Sequence, residues 1–213
     1  MSRLLDDAPE VEPEAAAELA AAEVRRLPAG STHGGEAFGD VSFLIVEQGF
    51  VVIRRMFSSD RRGVIVCHAG PGALLTAPGP GETIDALVEA QVTLVTEAAY
   101  VNLLARPNAA TVLSDSLRST LRQKQDSIAN FAGSRPVDRV ERKLLQLARE
   151  HGRVVPDGIR LDFPITHELL AEMIGSARET VSRAIDHLES SGFVVRDGRS
   201  YRLQVKPETI PTS

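Results

Sequence analysis

The sequence has very little of several residue types, and each scarcity excludes a class of protein. It contains one cysteine, Cys67, and no tryptophan. A single cysteine cannot form an intrachain disulfide framework or a four-cysteine metal or iron–sulfur centre. No run of about 18 apolar residues is present, and the N-terminus lacks a charged-then-apolar signal. We therefore expect a cytoplasmic protein that does not enter the membrane.

Residue sets that carry catalysis or hold metals are also missing. No nucleophile–base–acid set and no Walker-type glycine loop can be identified, so we expect no enzymatic activity. The histidines other than His68 are scattered without metal-ligand spacing, which predicts that no metal is bound. These histidines are His33, His151, His167 and His187.

An excess of positive charge is absent as well, since the formal net charge is −5. The acidity is uneven along the chain. Residues 1–136 hold 12 Lys/Arg against 17 Asp/Glu, a net of −5, whereas residues 137–205 hold 11 against 11. A neutral C-terminal part predicts that DNA binding there depends on locally placed arginines rather than on a broad basic face.

The most informative segment covers residues 165–188, where two helical patterns lie on either side of Gly175. Thr166 is a suitable N-cap for the first helix, and Gly175 supplies the positive φ of a tight helix stop. Ser176 and Glu179 have the spacing of a capping box, which predicts that the second helix begins at once. This layout is typical of a helix-turn-helix. The two apolar stripes are Leu169, Leu170, Met173 and Ile174, and Val181, Ala184, Ile185 and Leu188.

The remaining face of the second helix carries polar and charged side chains. Arginine pairs in bidentate fashion with guanine, and glutamate accepts a hydrogen bond from cytosine N4. The alternative is an amphipathic surface helix with solvated charges. Two apolar runs around Asp197-Gly198 then predict a β-hairpin, which would make this a winged helix-turn-helix. The face consists of Arg178, Glu179, Ser182 and Arg183, and the wing adds Arg196, Arg199 and Arg202 as candidate phosphate contacts.

At these residues the chain resembles the Crp/Fnr family of bacterial transcription regulators. The family's recognition helix typically reads S-R-E-T-V-S/G-R, and residues 177–183 read A-R-E-T-V-S-R. Ala177 departs from the frequent serine, which puts one backbone contact in doubt. The resemblance implies base contacts from Arg178, Glu179 and Arg183. The phosphate contacts that we expect with it are Thr166, His167, Ser176, Thr180, Ser182 and Arg199.

For the first hundred residues, the pattern predicts a helix in residues 9–23 and then short strands separated by glycines. Strands are predicted at residues 41–46, 50–57 and 64–68, which suggests a barrel-like β domain. The L-P-x-G segment and the later G-P-G-A-L-L segment resemble the family's cyclic-nucleotide-binding β-roll. The expected fold class is α+β, with a jelly-roll-like β-roll, a long dimerisation helix and a C-terminal winged helix-turn-helix.

The ligand-binding part of this resemblance fails. Family members that bind cyclic AMP carry a glycine–glutamate pair and a later arginine that pairs with the cyclic phosphate. Leu75-Thr76 replace the first pair, and residues 79–97 contain no arginine or lysine. Glu82 is interpreted as a solvated loop carboxylate, and the alternative is a displaced ribose ligand. Because a buried phosphate without a cation is costly, we expect no cofactor and no binding of cyclic AMP. If cyclic AMP did bind, Arg118 or Arg122 would be the first candidates for the missing cation.

Cys67-His68 is a candidate pair for two other sensing chemistries, haem binding and redox sensing. Haem-binding relatives use cysteine and histidine, but their ligands follow the G-x-G-like segment, whereas this pair precedes it. We interpret Cys67 as a buried structural cysteine, and a redox or haem role remains the alternative.

After Pro107, apolar residues recur at three- and four-residue steps as far as Arg135, which predicts a long amphipathic helix. The expected dimer seam is Leu113, Leu117, Leu121 and Ile128; the alternative is packing solely on the β-roll of the same chain. Proline at position 136 breaks the helix and makes Arg135-Pro136 a hinge. The expected domains are residues 1–106, 107–135 and 136–213.

Two functional hypotheses remain. The first is a homodimeric regulator that binds pseudo-palindromic promoter DNA, with half-sites resembling T-G-T-G-A, and acts on RNA polymerase. It would be independent of cyclic AMP or gated by another small ligand. The second is a nucleotide-responsive enzyme or binding module that retains the helix-turn-helix for protein contacts.

Overall fold

A computed structural model describes residues 3–5, 11–57, 63–131 and 135–205 of the chain. Its contacts divide the chain into two compact units, Met1–Gln125 and Asp126–Ser213. Within the described ranges, every helix is too short or too polar to span a bilayer.

The first unit is built from strands with helices at both ends of its sequence. Its strands form two four-stranded antiparallel sheets, in the orders β1-β8-β3-β6 and β2-β7-β4-β5. This is the expected β-roll. The elements are α1 (Pro13–Ala21), β1 (Val24–Leu27), β2 (Thr32–Gly34), β3 (Val41–Gln48), β4 (Val51–Met56), β5 (Gly63–Ala69), β6 (Leu74–Thr76), β7 (Glu82–Ala86), β8 (Ala90–Thr96), α2 (Glu97–Leu104) and α3 (Pro107–Phe131).

Apolar side chains from both sheets fill the interior of the roll. Leu44 and Val92 of one sheet and Val51 and Ile84 of the other are fully buried in the same cluster. Their alternation with outward-facing residues follows from the two-residue period of a strand. Burial of this apolar surface, at about 25 cal/mol per Å², is the main source of the unit's stability.

A second apolar cluster lies on the outer face of the first sheet. Ile45 and Val95 of the sheet pack there against Leu19 of α1, Leu103 of α2 and Leu113 of α3. The first half of α3 is therefore fixed to its own β-roll by apolar packing.

The three predicted strands are confirmed as β3, β4 and β5, and the predicted N-terminal helix is confirmed as α1. Strand β7 was not predicted, because its first residue, Glu82, was interpreted as part of a loop. The pairing of β7 with β2 and β4 decides its conformation, and such pairing is not visible in local sequence.

The second unit combines three helices with one antiparallel sheet of order β11-β12-β10-β9. The predicted wing hairpin is present as β11 and β12, but two further strands, β9 and β10, extend it. The segment Pro156-Asp157-Gly158 between them is a turn signal that identifies this hairpin in retrospect. The elements are α4 (Pro136–His151), β9 (Arg153–Val155), β10 (Gly158–Leu161), α5 (His167–Ile174), α6 (Arg178–Ser190), β11 (Val194–Asp197) and β12 (Ser200–Leu203).

Backbone signals around the two central helices are mostly confirmed. Thr166 Oγ1 accepts a hydrogen bond from Leu169 N at 3.0 Å, and Gly175 ends α5 with φ 59°. The predicted capping box is wrong, since α6 begins at Arg178 with no side-chain cap. Ser176 instead belongs to the end of α5, because its backbone N–H donates to the carbonyl of Ala171 at 2.9 Å.

Two further breaks were predicted from the sequence, one in the loop of the wing and one before α4. Asp197 pairs with Ser200 across the wing, so its two-residue loop is Gly198-Arg199 rather than Asp197-Gly198. Arg135 is extended and Pro136 is the first residue of α4, as the sequence predicted. Ser134, the first residue of the predicted break, lies outside the described residues.

We predict that Gly158→Ala destabilises the second unit far more than Gly198→Ala. Both glycines have positive φ, but a Cβ at residue 158 would lie 2.0 Å from the backbone oxygen of Leu203, whereas nothing lies within 4 Å at residue 198. The expected costs are at least about 3 kcal/mol and about 1 kcal/mol. Urea unfolding of the full chain followed by circular dichroism measures both. Equal midpoints for the two variants would contradict the close approach of β10 and β12.

Candidate functional site

The candidate site lies on α6, on the N-terminus of α5 and on the wing. Arg178, Glu179 and Arg183 are exposed on α6, opposite the predicted apolar stripe, which is buried. The spacing of these three residues places them on one face, because successive residues of a helix are about 100° apart. Ser176 precedes the helix and Thr180 lies in its first turn, and both are half-buried.

A cleft of about 640 Å³ opens between the N-termini of the two helices and the wing. It brings together five residues that the sequence predicts as DNA contacts: Thr166, His167, Arg178, Arg196 and Arg199. The other predicted contact residues do not line it. The lining residues are Pro164, Ile165, Thr166, His167, Glu168, Arg178, Arg196 and Arg199.

The arginines of this unit separate into two groups according to their ion pairs. On the sheet, Asp162 pairs with Arg153 at 2.7 Å and with Arg160 at 2.8 Å. Arg160 also contacts Asp197 at 3.4 Å. By contrast, four arginines form no ion pair with any described residue, although they are exposed: Arg178, Arg183, Arg196 and Arg199. Three of these four arginines line the cleft, against one carboxylate, Glu168, so positive charge predominates there although the domain has no net charge.

Arg202 belongs to the first group, and its contact with phosphate stays a prediction. Its guanidinium pairs with Asp157, the residue that precedes β10. The two residues meet because β10 and β12 are adjacent strands.

Polar side chains at the cleft form a short hydrogen-bonded chain. His167 Nδ1 lies 2.7 Å from Ser182 Oγ, and Ser182 Oγ donates to the carbonyl oxygen of Arg178 at 3.1 Å. Burial lowers the pKa of His167, and the positive charges of Arg196 and Arg178 lower it further. Thr166 uses its oxygen as the cap acceptor, which leaves its hydroxyl proton available to an anion.

Helix α3 presents two neighbouring stripes, and they have different environments. The roll-facing stripe is anchored by Leu113, which is 1% exposed, and by side-chain hydrogen bonds to backbone atoms of the roll. Ser116 Oγ accepts from Leu74 N at 3.0 Å, Thr120 Oγ1 donates to Leu74 O at 3.2 Å, and Gln123 Oε1 accepts from His68 N at 2.9 Å. Leu113 therefore serves its own domain and cannot also contact a partner.

The second stripe contains the other three residues of the predicted seam. Leu117 is half-buried and still packs against the second apolar cluster, whereas Leu121 is 61% exposed. The backbone of Ile128 is helical, but its side chain lies outside the described part of the structure. The helical spacing sets this stripe about 40–80° away from Leu113 around the helix axis, with Leu121 the farthest.

The positions at which cyclic-nucleotide-binding relatives hold their ligand are used differently here. Leu75 is 2% exposed and belongs to the core of the roll. Arg54, a cation on β4, pairs with Asp85 at 3.1 Å, and Thr83 donates to the same carboxylate. Glu82 is not a freely solvated carboxylate as predicted, because it accepts from Gly79 N at 3.2 Å and lies 3.7 Å from Arg55.

The other candidate ligand residues are also engaged within the unit. Cys67 is buried, and its thiol donates to Gln123 Oε1 at 3.1 Å. Arg118, which was considered as a possible phosphate ligand, pairs with Asp115 at 2.7 Å on the exposed side of α3.

Known proteins resemble this chain over one or both units. Residues 138–207 match the model of the Crp-like helix-turn-helix domain. The global nitrogen regulator of Synechococcus elongatus is 36% identical over 92 residues, which are 43% of this chain and 41% of that regulator. A CRP-like cAMP-activated global transcriptional regulator of Mycobacterium tuberculosis is 27% identical over 169 residues, covering 76% of this chain and 75% of that protein.

The resemblance in fold extends over almost the whole chain. The structure of a mutant of CooA from Carboxydothermus hydrogenoformans aligns with a TM-score of 0.76 at 18% identity, over 96% of this chain and 92% of that one. Residues 138–207 thus match a Crp-like helix-turn-helix domain, and over both units the chain is similar to transcription regulators of the Crp/Fnr family.

Proposed function

We propose that this protein is a homodimer that binds pseudo-palindromic promoter DNA through α6 and regulates transcription without cyclic AMP. The observation that carries the proposal is a cleft lined by three arginines, Arg178, Arg196 and Arg199, that form no ion pair with a described residue, in a domain with no net charge. A polyanion is the partner that such a surface fits. The relatives are transcription regulators rather than enzymes, which argues against the enzymatic alternative.

Base reading is assigned to the exposed face of α6. Arg178 and Arg183 carry planar guanidinium groups that match guanine O6 and N7, and Glu179 accepts from cytosine N4. None of the three is held by a described ion pair, so each is available to a base edge.

Backbone positioning is assigned to the hydroxyl and cationic groups around the base-reading face. Arg199 and Arg196 reach the cleft from the wing, and Thr166 and His167 reach it from the start of α5. Contacts of this kind fix the orientation of the domain on the duplex, and they carry no sequence information. The remaining proposed phosphate contacts are Ser176, Thr180 and Ser182.

Dimerisation is assigned to the second stripe of α3. Leu121 is a large apolar side chain that is mostly exposed, as expected for a residue that a second copy would cover. A two-fold dimer would present two copies of α6, which requires half-sites about one helical turn apart. RNA polymerase is the further partner that we propose for a regulator bound at a promoter.

Independence from cyclic AMP is supported by the internal ion pair and hydrogen bonds of the roll. The cation on β4 is paired with Asp85, and Ser116, Thr120 and Gln123 of α3 are bonded to the roll. An incoming phosphate would have to displace these contacts, because Arg54 is already paired within the roll. The relative from Mycobacterium tuberculosis is named as cAMP-activated, so direct titration is needed to test this point. A redox or haem signal at Cys67 remains the alternative means of control.

We predict that selection from random DNA with the full-length protein returns a two-fold related motif with G·C pairs in each half, resembling T-G-T-G-A. Arg178→Ala should weaken binding by about 1–3 kcal/mol and relax the preference at one position. Arg202→Ala is the matched control, because Arg202 is paired within the sheet and should not affect base preference. A motif without two-fold symmetry or G·C pairs would contradict the assignment of α6.

We predict that Leu121→Glu yields monomers that also lose specific DNA binding, because an isolated charge in an apolar seam is costly to desolvate. Ser119→Glu introduces the same charge at an exposed position about 160° away around α3, and it should remain dimeric. Sedimentation velocity and a gel shift on the selected duplex measure both properties. A monomeric Leu121→Glu protein with full affinity for the palindrome would disprove the coupling.

We predict that cyclic AMP and cyclic GMP neither bind at micromolar concentration nor increase operator affinity by as much as about tenfold. Calorimetric titration and DNA anisotropy with each nucleotide measure the two effects. The cAMP-activated relative from Mycobacterium tuberculosis serves as the positive control. Micromolar binding would overturn the prediction, and Arg122→Ala would then test whether that exposed residue of α3 supplies the missing cation.

A further inference from the structure

The imidazole of His167 has a defined tautomer in the unbound protein. Ser182 has one hydroxyl proton and donates it to the carbonyl oxygen of Arg178. Ser182 Oγ must therefore accept the hydrogen bond that joins it to His167, and Nδ1 of the ring carries the hydrogen. In the neutral ring, Nε2 has no hydrogen. This atom is buried and has no hydrogen-bond partner among the described residues.

The charges around His167 are mixed, but the nearest positive groups oppose its protonation. Arg196 of β11 and Arg178 of α6 lower its pKa, in addition to burial, whereas Asp186 and Glu189 of α6 raise it. Glu168 and Arg199 line the same cleft. The net effect is a pKa below the usual value of about 6.5, so His167 is neutral in the free protein at neutral pH.

We infer that His167 takes up a proton when DNA backbone phosphates enter this cleft, so that binding and protonation are linked; this inference rests on the function proposed above. Phosphates would offset the charge of Arg178 and Arg196 and would add negative charge beside the ring. Both changes favour the imidazolium. The imidazolium would carry a hydrogen on Nε2. In the complex this N–H would donate to a phosphate oxygen, whereas the described residues of the free domain offer it no acceptor. Protonation leaves the bond from Nδ1 to Ser182 in place.

The direction of the pH effect follows from linkage. In the complex the pKa of His167 is higher than in the free protein, so the complex binds more protons. The resulting gain in DNA affinity is fully present below the free-protein pKa, and it is lost as pH rises through the pKa of the complex. Because the free-protein pKa lies below its usual value, this window extends upward from mildly acidic pH.

The test compares the full-length wild-type protein with three variants on a duplex that carries two inverted T-G-T-G-A half-sites about one helical turn apart. His167→Gln cannot titrate, but its amide can still donate to Ser182. His167→Arg is permanently charged. His187→Gln removes an exposed histidine of α6 outside the cleft and is the matched control. Anisotropy at constant ionic strength gives Kd, and calorimetry in buffers of different ionisation enthalpy gives the protons taken up.

We predict that wild-type affinity falls at least about threefold between about pH 6 and pH 8, with fractional proton uptake on binding. His187→Gln should behave in the same way. His167→Gln and His167→Arg should lose this dependence, and His167→Arg should bind at least as tightly as wild type at the higher pH. Thermal unfolding confirms that each variant is folded.

Two results would contradict the inference, and they can be distinguished. An unchanged pH slope and proton uptake in both His167 variants would exclude this residue as the proton acceptor while leaving the proposed DNA binding intact. Absence of wild-type binding at every pH, on this duplex and on selected DNA, would instead disprove the proposed function, and the inference would fall with it.

Discussion

Ion pairing within the sheet of the C-terminal unit determines how that unit can meet an anionic partner. Residues 137–205 contain equal numbers of acidic and basic side chains. Asp157, Asp162 and Asp197 pair there with Arg153, Arg160 and Arg202, so the charges of the sheet compensate one another. Exposed pairs of this kind add little stability, typically about 0–1 kcal/mol. They occupy the arginines of the sheet, whereas the arginines that line the cleft form no ion pair with a described residue.

A second constraint acts on α3, because the same helix packs on its own β-roll and, in the proposed dimer, on a second copy. Leu113 and the polar residues that follow it one and two turns later hold the helix to its own β-roll. Leu121 lies on the adjacent stripe and remains exposed. One amphipathic helix can thus be fixed to its own domain and still offer an apolar surface to a second copy.

Local backbone chemistry explains which features the sequence revealed. Thr166 and Gly175 were predictable because a cap and a positive φ depend on one residue and its immediate neighbours. Ser176 was misread because two overlapping signals, a helix stop and a capping box, compete for the same residue. Leu113 was misassigned since apolar periodicity shows that a side chain is buried but not what covers it. The pairing of Arg202 with Asp157 depends on β9 and β10, which were not predicted.

The side-chain hydrogen bonds from Ser116, Thr120 and Gln123 of α3 to backbone atoms of the roll also resist displacement of the helix along its own axis. A shift by a single residue, about 1.5 Å, would break the bonds of Ser116, Thr120 and Gln123 together. At about 1 kcal/mol for each bond, the resistance is about 3 kcal/mol, which corresponds to roughly a hundredfold difference in affinity between two states. A signal that moved α3 by sliding would need at least that discrimination. Weaker ligands would bind the roll and leave the helix where it is.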